Sequence, residues 1–304
     1  MAMERIGKVL AAAGFGSRRS CEQWVTEGRV RVNGRRTAEL PLLVDPEKDH
    51  IVVDGKPLRA VRRVYYLLHK PRGVYCTQND PDGRTRAVDL MKGVRQRVFP
   101  VGRLDADSAG LLIMTNDGEL TQKLTHPRFA TPKTYRVEVQ GCPSAAVLEK
   151  LRRGVWLSEG KTAPATIKVV HKDRLKAALE ITLREGRNRE IRRMLARLGH
   201  KVRRLTRIRM GRLSIRNLPA GGFRRLTEDE VKYLYRLAAR SAEKPEGGGA
   251  GRKQKKVRSR GSSSKPVRSR GRSGKPGGRQ PQGKDAPSTA SAQGPKRRII
   301  LPND

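Results

Sequence analysis

Apolar residues recur at Ile6, Val9, Leu10 and Ala13, the i, i+3, i+4, i+7 spacing of one helical face, so a short amphipathic helix opens the chain. Gly14 and Gly16 end it, and Ser17 is placed to cap a second helix whose apolar side is Cys21, Trp24 and Val25, closed by Gly28. The period then shortens to two. Val30-Arg31-Val32 alternates and turns at Asn33-Gly34, and Ile51-Val52-Val53 turns at Asp54-Gly55. Two small helices and a few short strands over residues 1–60 make a small module with a modest core.

The pattern from 61 to 240 is different. Apolar runs bounded by turn residues predict strands over Val64–His69, Val98–Val101, Leu111–Thr115, Thr134–Val139, Ala165–Val170, Ala177–Leu183 and Val202–Arg209. Helices fall between them. Asn188 is read as the cap of one with the apolar face Ile191, Met194, Leu195 and Leu198. Thr227 and Glu230 form a capping box ahead of Val231, Leu234, Tyr235 and Ala238. Helices and strands mix without a βαβ rhythm, so the fold class is α+β with a mixed, largely antiparallel sheet. Residues 241–304 are Gly, Ser, Pro, Lys and Arg, with too few apolar side chains to offset the entropy of folding; they read as a disordered basic tail.

Charge narrows the partner. The formal net charge of the 304 residues is +39, and the tail, with 17 Lys and Arg against four Asp and Glu, accounts for only part of it. Such an excess calls for a polyanion, nucleic acid before an anionic membrane surface. No apolar run is long enough to span a bilayer and no targeting or lipidation pattern is present, so a cytoplasmic protein without membrane attachment is expected. The three cysteines, Cys21, Cys76 and Cys142, lie far apart, which fits a reducing compartment. The histidines have no zinc-ligand spacing, and no metal is expected.

The candidate chemistry lies in Gly102-Arg103-Leu104-Asp105-Ala106-Asp107-Ser108-Ala109-Gly110-Leu111-Leu112, where a carboxylate sits in a short turn before an apolar strand. A rigid edge facing a cleft is where a reactive carboxylate is held. Spacing alone favours an aspartate that caps the turn and a Tyr135 that only packs across strands, and equally permits an Arg192 that is one more phosphate contact.

The same stretch, with Thr115-Asn116-Asp117-Gly118-Glu119-Leu120 and His126-Pro127 after it, resembles the aspartate motif of pseudouridine synthases of the RsuA/RluB type. Lys133-Thr134-Tyr135-Arg136-Val137 is similar to the second motif of that family and Glu185–Met194 to the third, while His69-Lys70-Pro71-Arg72-Gly73 resembles its opening strand and turn. Ala13-Gly14, Ser17-Arg18-Arg19 and Gly28–Gly34 resemble an S4 RNA-binding module. The resemblance spans residues 3–238. It implies an S4 domain over 1–60, a pseudouridine synthase domain over 61–240, and isomerisation of uridine without a cofactor.

By resemblance, Asp105 is the nucleophile or 2′-proton base, Arg192 the cation that keeps it ionised, and Tyr135 the aromatic under the flipped uracil. Arg18, Arg19, Arg29, Arg31, Asn33 and Arg35 of the S4 segment, with Arg103, Lys133, Arg187 and Arg189, are the expected RNA contacts. If Arg103 lies in a strand, it shares a face with Asp105. Asp107 is given little weight, because a second negative charge works against an ionised Asp105. Glu190, where many relatives have Gln, leans towards the RluB branch, as do Asp80–Arg84 and Gly221-Gly222-Phe223. That branch implies 23S ribosomal RNA as the partner, free or in a pre-ribosomal particle, and a monomeric enzyme. The competing readings are a 16S enzyme of the RsuA branch and a non-catalytic rRNA-binding assembly factor.

Overall fold

The structure, a computed structural model, describes residues 3–240. The basic tail expected from 241 onward lies outside them.

The N-terminal part begins with helices α1 (Ile6–Ala12) and α2 (Arg18–Thr26). Ser17 caps α2 as its sequence position predicts: its Oγ accepts from the Ser20 N–H at 3.1 Å, and the Ser20 Oγ accepts from the Ser17 N–H at 2.8 Å. A four-stranded antiparallel sheet follows, in the order Arg35–Arg36, Val30–Val32, Ile51–Val53, Lys56–Pro57. Its two hairpin turns are Asn33-Gly34 and Asp54-Gly55, all four residues at positive φ. Ile6, Val9, Leu10, Cys21, Val25, Val30, Ile51 and Val53 pack between helices and sheet.

The larger body is organised by one sheet. Its strands run in the order Thr166–Lys172, Lys176–Leu183, Lys133–Gln140, Val202–Met210, Ala109–Thr115, Tyr65–Lys70, Phe223–Arg225. Every neighbouring pair is antiparallel except Val202–Met210 beside Ala109–Thr115, which is parallel. The apolar runs therefore mark the strands to within about two residues.

That parallel junction explains a glycine. Gly110 pairs with Arg207 at φ +114, and a Cβ there would lie 2.2 Å from the Arg207 carbonyl oxygen. Only glycine lets the two strands approach so closely. The loop ending at Ser108 is thereby brought to the middle of the sheet.

Helices α3 (Gly118–Thr125), α4 (Ala145–Arg153), α5 (Glu190–Arg197) and α6 (Glu228–Arg240) complete the body. One core joins Val137, Leu179, Ile181, Ile191, Met194 and Leu195, so α5 is fixed by its apolar face against the sheet. A second joins Leu67, Leu111, Ile113, Leu120, Leu124 and Leu234 under α3 and α6. The Thr227/Glu230 box caps α6, with the Thr227 N–H donating to Glu230 at 2.9 Å and the Glu230 N–H to Thr227 Oγ1 at 3.3 Å.

Asn188 does not cap α5. The N-cap is Arg189, a non-glycine residue in the left-handed region at φ 46°. The buried Glu190 carboxylate instead reaches back and accepts the Arg187 N–H at 3.0 Å. Among the described residues no helix is long and apolar enough to cross a membrane.

Candidate active site

Residues 102–108 form a loop, not a strand, between Pro100 and the strand Ala109–Thr115. The alternation expected to put Arg103 and Asp105 on one face is therefore absent. Arg103 is exposed, Leu104 is buried and Asp105 is half-buried. The loop is held from beneath. The Gly73 N–H donates to the Ala106 carbonyl at 2.7 Å, and the Ser108 N–H to that of Asp105 at 3.0 Å.

Lys70 is fully buried under this loop and donates from Nζ to the carbonyls of Pro71 at 2.8 Å and Val74 at 2.7 Å. Burial pushes its ammonium below the usual lysine range, while Cys76, Asp105 and Asp107 pull the other way. Arg207, equally buried, donates from Nε to the Leu111 carbonyl at 2.7 Å. Two interior cations thus lie against the segment that carries the candidate carboxylate. Burial of this kind is rare for Lys and Arg and is not visible in the linear pattern.

The third motif supplies the opposing wall. Arg189, lifted by its left-handed backbone, places Nη1 3.5 Å from Asp105 Oδ2 and Nη2 3.2 Å from Asp107 Oδ2. Arg192, one turn into α5, places Nη2 3.1 Å from Asp107 Oδ2 and donates to the Asp107 carbonyl at 3.2 Å. Arg192 was expected on Asp105; its direct ion pair is with Asp107, and Arg189 is the cation on Asp105. The carboxylate given little weight is thus the one that anchors the helix. Burial opposes ionisation of Asp107, but hydrogen bonding by Arg189 and the charges of Arg192 and Arg189 hold it below the usual carboxylate range. Asp107 neutralises the arginines that would otherwise repel each other, and leaves Asp105 with one cation and an open side.

Tyr135 lies on the central strand, between Ile181 on one neighbour and Arg207 on the other. It is partly buried and packs against the α5 core. It makes no hydrogen bond to Asp105. The two are related through the sheet, because the Arg207 opposite Tyr135 pairs with Gly110, five residues beyond Asp105.

The expected RNA contacts divide. Arg18, Arg19, Arg31 and Arg35 are exposed with no carboxylate partner among the described residues. Arg29, though exposed, is paired within its module: Nε donates to Asp54 Oδ1 at 3.0 Å, and its guanidinium stacks on Trp24 at 4.6 Å. Asn33 holds its own turn, donating to Asp49 Oδ1 at 2.9 Å and accepting from the His50 N–H at 2.8 Å. Arg187 is a clamp on the Trp156–Lys161 hairpin. It donates to the carbonyls of Gly160 at 2.9 Å and Lys161 at 2.6 Å, and pairs with Glu185 at 3.0 Å. Lys133 sits at the base of the central strand, its Nζ 3.3 Å from the Thr131 carbonyl and its pKa pushed down to about 8, chiefly by burial and also by Arg207. Arg29, Asn33 and Arg187 thus have partners within the chain, the first two at exposed positions, and Lys133 is half-buried.

Beside them Glu185 and Glu190 share one corner. Burial, reinforced by Glu185, pushes Glu190 up to about 8. Glu185 is held below its usual range despite burial, by hydrogen bonding with Glu190 first and then by bonds from Ala163 and Arg187.

Residues 64–197 match the RNA pseudouridylate synthase family and residues 4–40 match the S4 domain. The chain is 45% identical over 238 residues to a Bacillus subtilis protein named ribosomal large subunit pseudouridine synthase B, covering 78% of this chain and 97% of that one. It is 38% identical over 242 residues to a Shigella flexneri protein of the same name, covering 77% and 83%. A crystal structure of a pseudouridylate synthase superposes with a TM-score of 0.56 at 26% identity, covering 76% of this chain and 99% of that one. Motifs, mixed sheet and homology agree: the chain belongs to the RNA pseudouridine synthase family and carries an N-terminal S4 domain.

Proposed function

We propose that this chain converts one uridine of 23S ribosomal RNA to pseudouridine, with Asp105 as the residue at the sugar–base junction. The observation that carries the reading is the asymmetry of the two carboxylates. Asp107 is bound by two arginines, whereas Asp105 has a single cation at 3.5 Å; the two side chains are about equally exposed, at 39% and 36%. Asp105, with one cation beside it, has fewer ties to break on meeting a substrate. The large-subunit names of the Bacillus subtilis and Shigella flexneri relatives support the choice of RNA.

The reaction breaks the bond from N1 of uracil to C1′ of ribose and makes one from C5 to C1′. N1 ends with a proton and C5 loses one, so atoms balance within the nucleotide. Asp105 starts the reaction by attack on C1′ or by removing the 2′ proton; both routes need the ionised carboxylate. The freed uracil turns over Tyr135, whose ring face supports it and whose hydroxyl can relay the C5 proton, accepting it as its own proton passes on towards N1 through solvent. Arg192 acts through Asp107, which it fixes 3.1 Å away, to hold the loop in place. Reaching the base requires unstacking it, at about a few kcal/mol for a loop nucleotide.

Under this reading residues 1–60 recognise a folded stem-loop by shape and phosphates, residues 61–240 carry the chemistry, and the protein works as a monomer on ribosomal RNA in the cytoplasm. Asp105→Asn tests the assignment. The purified variant is expected to bind a 23S transcript within a few-fold of the parent and to give no carbodiimide-reactive pseudouridine. Substantial pseudouridine formation by Asp105→Asn would remove Asp105 from the chemistry.

A further inference from the structure

The face of α5 turned away from the Trp156–Lys161 hairpin opens into a groove of about 610 Å³ between the helix and the start of the strand Val202–Met210. Its inner end is the Arg189–Asp107–Arg192 cluster, two residues from Asp105. Its outer walls add Arg72, from the turn after the strand Tyr65–Lys70, with Lys201 and Arg203. Among the residues lining it, five Arg and Lys side chains face a single carboxylate, Asp107.

The three outer cations share a property that the inner two lack. Arg72, Lys201 and Arg203 are exposed, and none has a carboxylate partner or a side-chain hydrogen bond among the described residues. Cations gathered into one concavity without counter-charges repel each other and hold condensed anions. Beside the cations the lining consists of Ala196, Gly199, Val202 and His200; no Phe, Tyr or Trp lines the groove. Nucleobases bind single-strand sites by stacking on aromatic faces; the one ring lining this groove is His200, whose Nδ1 lies 3.2 Å from the Gln140 carbonyl, against five cations. Its chemistry fits phosphate before base.

We infer that this groove is the track for the RNA backbone next to the reacting nucleotide, with Arg72, Lys201 and Arg203 as its phosphate contacts. The inference rests on the RNA-modifying reading above and extends it with phosphate contacts, of which Lys201 and Arg203 lie outside the motifs. Arg192 links the two parts. Its Nη2 is on Asp107 at the site, and its Nη1 donates to the Val202 carbonyl, at 3.4 Å, in the groove wall. The strand leaving the flipped uridine is thereby registered on the same helix that organises the aspartate loop. A bare phosphate chain is read without sequence, so the groove supplies affinity and orientation and leaves target choice to other surfaces.

The test is a pair of charge-matched triple variants of the full chain. One carries Arg72→Gln, Lys201→Gln and Arg203→Gln. The control carries Lys168→Gln, Lys172→Gln and Arg174→Gln on the outer strand and the turn after it, which removes the same charge elsewhere. Binding of a 23S rRNA transcript is measured across a salt series, and pseudouridine formation separately. Each single-strand phosphate contact contributes about 0.7 to the slope of log K against log salt, so the groove triple should lower the slope by roughly 2. It should weaken binding at least tenfold at fixed salt and raise KM, while kcat stays within about threefold. The control should move the slope by less than half as much. Equal effects of the two triples, or an unchanged slope in the groove triple, would overturn the inference. The single Lys201→Gln variant repeats the comparison should the triple fail to fold. The binding readout needs no chemistry: a parent that binds and never isomerises refutes the proposed function, and a groove triple that binds like the parent refutes the track.

Discussion

Arginines of the third motif and arginines of the S4 segment look alike in sequence and behave differently in space. Arg187, Arg189, Arg192 and Arg193 are each held by a carboxylate: Glu185, Asp105 with Asp107, Asp107, and Glu159 respectively. Arg18, Arg19, Arg31 and Arg35 have none. Apart from Arg193, whose partner Glu159 is exposed, the first set is tied to loops and half-buried acids, so its cations build geometry, and removing one strands a partly buried charge. The second set has its heads in water, so its cations await an anion from outside. A basic protein can thus devote one group of arginines to shape and another to binding, and only the pairing distinguishes them.

The comparison can be broken most sharply at Arg192, whose side chain is only 13% exposed. Arg192→Met frees Asp107 from one of its two arginines and loosens the aspartate loop. The rate of pseudouridine formation at saturating RNA should fall on the order of 10²–10³-fold, the scale of losing one preorganised electrostatic group. RNA affinity should change little. A large loss of affinity with an intact rate would place Arg192 with the binding arginines.

Next in size is the S4 set. Replacing Arg18, Arg19, Arg31 and Arg35 together by Gln should lower the salt slope by roughly 3–4 at about 0.9 per duplex phosphate, and weaken binding accordingly. The melting temperature should not move, because no internal contact is lost. A drop of several degrees would show that these arginines stabilise the fold.

Arg187→Ala should do the converse. It removes donors from the carbonyls of Gly160 and Lys161 and a partner from Glu185. A melting decrease of a few degrees is expected, at about 2–4 °C per kcal/mol for a body of this size. Calorimetry reads the drop, with RNA affinity measured in parallel; weakened RNA binding at unchanged melting would reverse the assignment.

The smallest effect concerns Glu190. Its folded pKa is raised to about 8, so between the ordinary carboxylate value and 8 the folded protein holds a proton that the unfolded chain has released. The stabilisation is complete below the unfolded pKa and is lost as pH rises through about 8. Glu190→Gln, which keeps the neutral shape, should match the parent near pH 5 and melt higher than it near pH 8.5. A gap that is constant across pH would show that Glu190 ionises normally.

The strands from Tyr65–Lys70 to Val202–Met210 named in the sequence were legible as apolar runs closed by turn residues; the edge strand Phe223–Arg225, with one apolar residue in three, was not. The caps at Ser17 and Thr227 were legible because the hydroxyl and its partner stand three residues apart. The α5 cap was not. An asparagine before a helix usually caps it, but here Glu190 reaches backwards and Arg189 takes the left-handed position. The neighbourhood of Asp105 was legible by motif, and the wiring within it was not. Asp107 differs from Asp105 only through the arginines that the fold brings from more than 80 residues away. Lys70 and Arg207 were hidden for a related reason: a polar residue in an apolar strand shows its burial only when the neighbouring strands are known.

The central claim is that Asp105 of this chain isomerises a uridine in 23S ribosomal RNA. Mapping pseudouridines by carbodiimide labelling across both ribosomal RNAs tests it most directly, in cells lacking the chain and in the same cells supplied with the parent or with Asp105→Asn. The account predicts that one 23S position loses pseudouridine, regains it with the parent, and stays unmodified with Asp105→Asn, while 16S is unchanged. Loss confined to 16S, or full restoration by Asp105→Asn, would contradict it.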